Sequence, residues 1–265
     1  MYYNLKIVNS GRDRIEIYYS KDYAIEHCVN KPKGKRKKKI YDNKEQEEAA
    51  KKKNRISNLN NSRNKIARLI ACNQDLDIFI TLTYSYQVDM RDSKRALNNF
   101  FSKLRKKQKN LKYLWVLEFQ GNGNIHYHVL TNLNIEIDTT KYRKSEQHKK
   151  VERDFANKYW NHGFVDIRSL KGEGNSNVAK YLTAYITKDM MNKDLNGSRI
   201  YGYSNKTMYK PITTKILESK DQDEILQLFK DYDIQYSNSY SIGFKGVGKM
   251  NYFDMVKKHE NKNDT

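Results

Sequence analysis

Cysteine is scarce in this 265-residue chain: Cys28 and Cys72 are the only two, far apart and without Cys-x-x-Cys spacing. That pattern excludes a disulfide framework and a cysteine-type zinc site. Proline is as rare, at Pro32 and Pro211 alone, so no proline-rich linker divides the chain. Long apolar runs are also missing. No stretch approaches the roughly 20 apolar residues of a spanning helix, and Met1-Tyr2-Tyr3-Asn4 does not begin a signal peptide, so a cytoplasmic protein without a membrane partner is expected. Acidic residues are outnumbered, 31 Asp and Glu against 51 Lys and Arg, giving a net charge of +20. With a mean hydropathy of −0.97, the chain points to a polyanionic partner, and nucleic acid is favoured. What is abundant is tyrosine. Its 21 copies offer flat faces on which bases can stack, or simply pack.

The length allows one sizeable domain with additions, or two small ones. Residues 2–8 and 14–19 are expected to form a small hairpin around Asn9-Ser10-Gly11-Arg12. Between Lys31 and Lys39, seven of nine residues are basic, a run that either stays solvated or closes on phosphates through Lys33, Lys35, Arg36, Lys37, Lys38 and Lys39. Helix is expected from Lys44 to about Ala71, with Asn58 to Asn61 as a point of interruption and Arg55, Arg63, Lys65 and Arg68 along its polar face. Asp77 to Tyr84 alternates as a strand. A helix over about 94–109, capped by Asp92-Ser93, turns Leu97, Phe100, Phe101 and Leu104 inward and basic residues including Arg105 and Lys106 outward.

The centre of the chain is Tyr113 to Thr131. An apolar run ending in Glu118 passes through Gly121-Asn122-Gly123-Asn124 into Ile125-His126-Tyr127-His128-Val129-Leu130, the pattern of a β-hairpin with a Gly/Asn turn. Side chains two apart in a strand share a face, so His126 and His128 project together with Cα atoms roughly 6.5–7 Å apart. Two imidazoles so placed suit one divalent cation, although a histidine in a strand is also an ordinary structural residue. Glu118 supplies a third ligand if the loop has an odd number of residues, because only then does it share the face of His126. A further helix over about 145–160 and a strand over 164–168 complete the order β-α-β-β-α-β. That is the split βαβ arrangement of an α+β fold, an antiparallel sheet with helices on one face.

A Gly/Asn/Ser loop leads into a helix beginning near Val178 that carries Tyr181, Tyr185 and Lys188. Residues four apart lie one turn apart, so two phenols and an ammonium are presented together. Leu182, Ile186 and Met190 already give this helix an apolar stripe. Breaking a phosphodiester needs charge stabilisation on a non-bridging oxygen and an aligned nucleophile. A phenol, with an ordinary pKa of about 10, needs a cation such as Lys188 to favour its phenolate. A phosphotyrosine link conserves the energy of the cleaved bond, so the strand can be rejoined, and two tyrosines permit two successive cleavages.

Taken together, these stretches resemble the HUH endonucleases, and among them the rolling-circle replication initiators of plasmids and single-stranded DNA phages. Phe79-Ile80-Thr81-Leu82-Thr83 looks like the first motif of that family, His126-Tyr127-His128 like its metal motif, and Tyr181 to Lys188 like its Y-x-x-x-Y-x-x-K helix, over about residues 77–191. The resemblance implies Tyr185 as principal nucleophile, Tyr181 as the second, and magnesium or manganese held by His126, His128 and an acidic residue at the place of Glu118. It implies single-stranded DNA at a replication origin, a hairpin among its forms, as substrate, a 5′-phosphotyrosine intermediate, a freed 3′-hydroxyl primer, and a host helicase and polymerase as partners. The expected division is an N-terminal extension (1–72), an HUH endonuclease domain with a ferredoxin-like core (73–195) and a C-terminal region of unassigned role (196–265).

Two other readings stand beside it. One is a transposase or mobilisation relaxase using the same chemistry; the other, of a different class, is a non-catalytic nucleic-acid-binding protein on the same kind of sheet. Gly243 to Lys249 fits G-x-x-x-x-G-K, but Met250 stands where a phosphate-binding loop has Ser or Thr, which argues against an ATPase.

Overall fold

The computed structural model describes residues 2–26, 41–121, 123–137, 144–172, 175–188, 199–243, 246 and 248–258; the side chains of 175–177 and 185–188 lie outside that description. The chain divides into two units, one of residues 48–209 and one that joins 1–47 to 210–265. The N- and C-terminal flanks, separate pieces in the linear sequence, therefore share one unit.

The chain opens with β1 (Tyr2–Tyr3), β2 (Leu5–Asn9), β3 (Arg14–Tyr19) and β4 (Ile25–Glu26). β2 and β3 pair as the expected hairpin, Leu5 opposite Tyr19 and Ile7 opposite Ile17. Next comes α1 (Lys44–Cys72), which runs uninterrupted through Asn58 to Asn61. Leu59, within that polar stretch, is buried and holds the helix against the sheet, so packing outweighs the weak local propensity of asparagine.

The larger unit continues with β5 (Ile78–Thr83), α2 (Met90–Lys107), β6 (Tyr113–Phe119), β7 (Ile125–Thr131), α3 (Glu146–Tyr159), β8 (Val165–Ser169), α4 (Asn175–Lys188) and β9 (Tyr201–Tyr203). Its sheet has the order β8-β5-β7-β6-β9, every pair antiparallel. α2 starts at Asp89, whose carboxylate accepts from the backbone N–H of Arg91 and Asp92 at 2.8 and 2.9 Å. The cap thus lies three residues before Asp92, and Ser93, expected as a cap, is buried with its hydroxyl 2.8 Å from that of Tyr127.

The expected single covered face needs correction, because helices cover both. α2 and α3 pack Leu97, Phe100, Phe101, Leu104 and Phe155 against Ile80, Leu82, Leu117, Tyr127 and Val129. On the opposite face α1 and α4 bring Ile66, Leu69, Ile70, Val178, Ala179 and Leu182 against Phe79, Leu114, Val116 and Leu130. The reason lies in the strands themselves. β5, β6 and β7 alternate apolar residues with apolar residues, so neither face could be left to water without losing roughly 25 cal/mol for each Å² exposed.

The second unit completes its sheet with β10 (Ile212–Ile216), β11 (Tyr232–Ile242) and β12 (Gly248–Lys257), in the order β10-β2-β3-β12-β11. α5 (Gln222–Gln227), closed by a capping box between Asp221 and Glu224, places Ile225 over Leu5, Ile15, Ile17, Phe253 and Met255. The G-x-x-x-x-G-K segment lies at the β11–β12 turn. Gly243 and Gly246 have φ of 85° and 71° there, and a Cβ on Gly248 would lie 2.6 Å from the Tyr23 ring, which accounts for these glycines without a nucleotide.

Candidate active site

β7 is buried along its whole length, so His126 and His128 alternate with Ile125, Tyr127 and Val129. The latter residues belong to the core under α2 and α3, which turns both histidines toward the side of α1 and α4. β6 and β7 are joined by a five-residue loop, 120–124, closed by hydrogen bonds from Gln120 N to Asn124 O and from Gly123 N to Gln120 O, with Gly123 at φ 84°. The odd loop sets the register in which Glu118 lies opposite His126 and Val116 opposite His128. On the other flank, Thr83 faces His126 and Thr81 faces His128.

These side chains form a compact buried polar group. Glu118, His126 and His128 are 6, 7 and 5% exposed, low for ionisable residues. The Nε2 atom of His128 lies 2.7 Å from a Glu118 carboxylate oxygen, and its Nδ1 is 3.3 Å from the Thr81 hydroxyl. With Nε2–H donating to the carboxylate, Nδ1 is left to accept from threonine, a tautomer consistent with both contacts. The Phe79 ring stacks on His128 at 5.7 Å between centroids and 21° between planes. Tyr181 of α4 meets the same Phe79 edge-on at 5.3 Å and is 47% exposed. Phe79 therefore links the histidine strand to the tyrosine helix.

α4 continues through positions 185 and 188, so its backbone carries Tyr185 one turn beyond Tyr181 and Lys188 three residues later; the side chains of both lie outside the described residues. Among the described residues, no three His, Cys, Asp or Glu side chains are drawn together as a ready metal site. What is present is a donor set of suitable chemistry on one face, two imidazoles and a carboxylate. That set fits a divalent cation of the borderline-hard kind.

The predicted DNA contacts fall elsewhere. Lys33, Lys35, Arg36, Lys37, Lys38 and Lys39 lie outside the described residues. Arg105 and Lys106 are exposed in the last turn of α2, on the opposite face of the sheet from His126 and His128. Nearer the histidine face is α1, where Lys65 sits over the Tyr203 ring of β9 at 5.2 Å. The site residues missed in the sequence are Phe79 and Thr81 in their contacts with His128. The alternation of β5 put them on one face, but no sequence signal fixed which strand would lie beside β7.

With this geometry in view, comparison with known proteins narrows the reading. Residues 77–190 match the family model of the replication-associated protein ORF2. The match starts at the residue before β5 and ends two residues after α4, so it takes in Phe79, Glu118, both histidines and the tyrosine helix. The chain is also 27% identical over 144 residues to the Phasyl DNA replicon protein arp of Escherichia coli, an alignment covering 48% of this chain and 50% of the relative. The chain spans about half the length of that curated relative. No solved structure matches it. Among the described residues no helix is long and apolar enough to cross a membrane.

Proposed function

We propose that this protein initiates rolling-circle DNA replication by nicking and rejoining single-stranded DNA at an origin, through a 5′-phosphotyrosine on Tyr185 with Tyr181 as the second nucleophile. The observation that carries the reading is the gathering of Glu118, His126 and His128 on one buried sheet face, joined through Phe79 to the helix of Tyr181, inside the segment that matches a replication-associated family. The strand order β8-β5-β7-β6, with β5-α2-β6-β7-α3-β8 connections, supports taking the larger unit as the ferredoxin-like split βαβ core of an HUH nuclease.

His126, His128 and Glu118 would hold magnesium or manganese. Such an ion supplies charge stabilisation on a non-bridging phosphoryl oxygen. The protein's own groups do the rest. Thr81 and Glu118 fix the ring orientation of His128, and Phe79 buttresses it against α4. The Tyr185 oxygen replaces the 3′ oxygen at phosphorus; the P–O3′ bond breaks, the phenolic proton ends on the departing 3′ oxygen, and Lys188 favours the phenolate on the way. The freed 3′-hydroxyl primes a host polymerase, with a host helicase opening the duplex. Attack by a later 3′-hydroxyl on the phosphotyrosine reverses the step and releases the enzyme.

The test uses labelled single-stranded oligonucleotides covering the replicon's own sequence, in manganese or in EDTA, on denaturing gels. The expected result is a manganese-dependent shifted band whose DNA-linked peptide contains Tyr185 or Tyr181. Binding without any covalent adduct, with origin hairpins in the set, would leave a non-catalytic nucleic-acid-binding protein. Nicks confined to mobile-element ends or transfer origins would point to the transposase or relaxase chemistry instead.

A further inference from the structure

The sheet formed by the two ends of the chain has a second face that neither its core nor the proposed nicking site uses. Leu5, Ile15, Ile17, Phe253 and Met255 point to the core under Ile225. Their neighbours along each strand point the other way and form a row across the sheet. Lys215 of β10 stands opposite Lys6 of β2, Lys6 opposite Tyr18 of β3, and Tyr18 opposite Tyr252 of β12. The Lys6 ammonium lies 3.9 Å from the centre of the Tyr18 ring, Tyr18 is 4.8 Å from Tyr252, and Tyr252 is 6.1 Å from Tyr236 on the edge strand β11. Lys215 also sits 4.8 Å from the centre of the Tyr3 ring.

Tyrosines that merely pack are covered, but Tyr236 and Tyr240, on one side of β11, remain 55 and 43% exposed. The acids on this face are already matched. Arg14 donates to both carboxylate oxygens of Asp254 at 2.8 and 2.9 Å and lies 3.8 Å from Glu16, while the Tyr18 hydroxyl donates to Glu16 at 2.9 Å. The face thus presents aromatic rings flanked by lysines, with its carboxylates locked in ion pairs. A chain of net charge +20 adds a long-range attraction for a polyanion.

We propose that this face is a stacking platform for single-stranded DNA, with Tyr236 and Tyr240 receiving bases and Lys6 and Lys215 contacting phosphates. Aromatic rings accept any base and lysines follow the backbone, which gives binding with little sequence preference. Tyr236 and Tyr240, four residues apart on one strand, are separated by roughly 13 Å, which leaves room for intervening nucleotides. The platform would hold the strand passing to or from the nick; the choice of DNA over RNA rests on the function proposed above.

Fluorescence anisotropy of the full chain with labelled oligo(dT) of 20 nucleotides, in EDTA so that cleavage is off, tests this. Tyr236→Ala is expected to bind about tenfold more weakly and Tyr236→Phe within twofold of the wild type, since stacking needs the ring and not the hydroxyl. Lys6→Gln with Lys215→Gln is expected to flatten the slope of log K against log salt by about 1.4, at roughly 0.7 per neutralised phosphate on a single strand. Wild-type affinity in Tyr236→Ala, equal weakening in Tyr236→Phe, or tighter binding of an RNA of matching length would overturn the platform. A missing covalent adduct in manganese would overturn the nicking function without altering the anisotropy result, so the two failures are separable.

Discussion

Glu118 stands opposite His126 in the ladder, yet its carboxylate reaches diagonally to His128, 2.7 Å from Nε2. One carboxylate is thus cross-strand neighbour to one histidine and hydrogen-bond partner of the other. Glu118→Gln keeps the shape and removes the charge. Manganese affinity, measured by electron paramagnetic resonance, is expected to fall at least about tenfold, with cleavage falling in step and the melting temperature in EDTA little changed. Unaltered metal affinity would remove Glu118 from the ligand set.

Tyr185→Phe is expected to abolish the first covalent adduct while leaving oligonucleotide affinity within about twofold, because only the nucleophilic oxygen is removed. Tyr181→Phe should still form that adduct but fail to complete a second transfer. Mass spectrometry of the DNA-linked peptide separates the two, and an adduct of full yield in Tyr185→Phe would transfer the role to Tyr181 or another residue.

Gly163, in the turn between α3 and β8, lies against β5: a Cβ there would sit 2.2 Å from the Thr83 carbonyl oxygen and 2.6 Å from Ser85 N. Backbone cannot yield as a side chain can. Gly163→Ala is expected to cost about 2–3 kcal/mol, within the overpacking range, and to lower Tm by about 4–12 °C. Calorimetry showing an unchanged Tm would mean that β5 and the 160–163 turn can separate at little cost.

Neutralising the lysines and arginine between Lys31 and Lys39 is expected to weaken single-strand binding and flatten its salt dependence by roughly 0.7 for each phosphate that the run had neutralised. Titrations at several salt concentrations check this. The same slope in the neutralised protein would assign the run to solvent alone.

Much of the larger unit was legible because its strands and helices carry strong local periodicity. The β5-α2-β6-β7-α3-β8 order followed from alternation and amphipathic spacing, and the Gly/Asn turn gave the hairpin. Asp89 was overlooked as the α2 cap because Asp92-Ser93 offered the same side-chain chemistry three residues later, and burial of Ser93 beside Tyr127 decided between them. The second covered face was missed for another reason. Apolar residues on both sides of a strand announce burial, but local pattern does not name the helices that provide it.

The sequence by itself determined that His126 and His128 share a face, that Tyr181 and Tyr185 lie one turn apart, and that the chain is strongly basic; each follows from covalent spacing or composition. Only the tertiary structure decided that Glu118 joins the histidine face, that Phe79 bridges His128 to Tyr181, and that the two ends of the chain close one sheet around Ile225. Those relationships depend on loop parity, on which strands become neighbours, and on pairing between residues about 200 positions apart, such as Leu5 with Ile216. Such pairings are set by how the whole chain buries its apolar surface, a property that no local stretch contains.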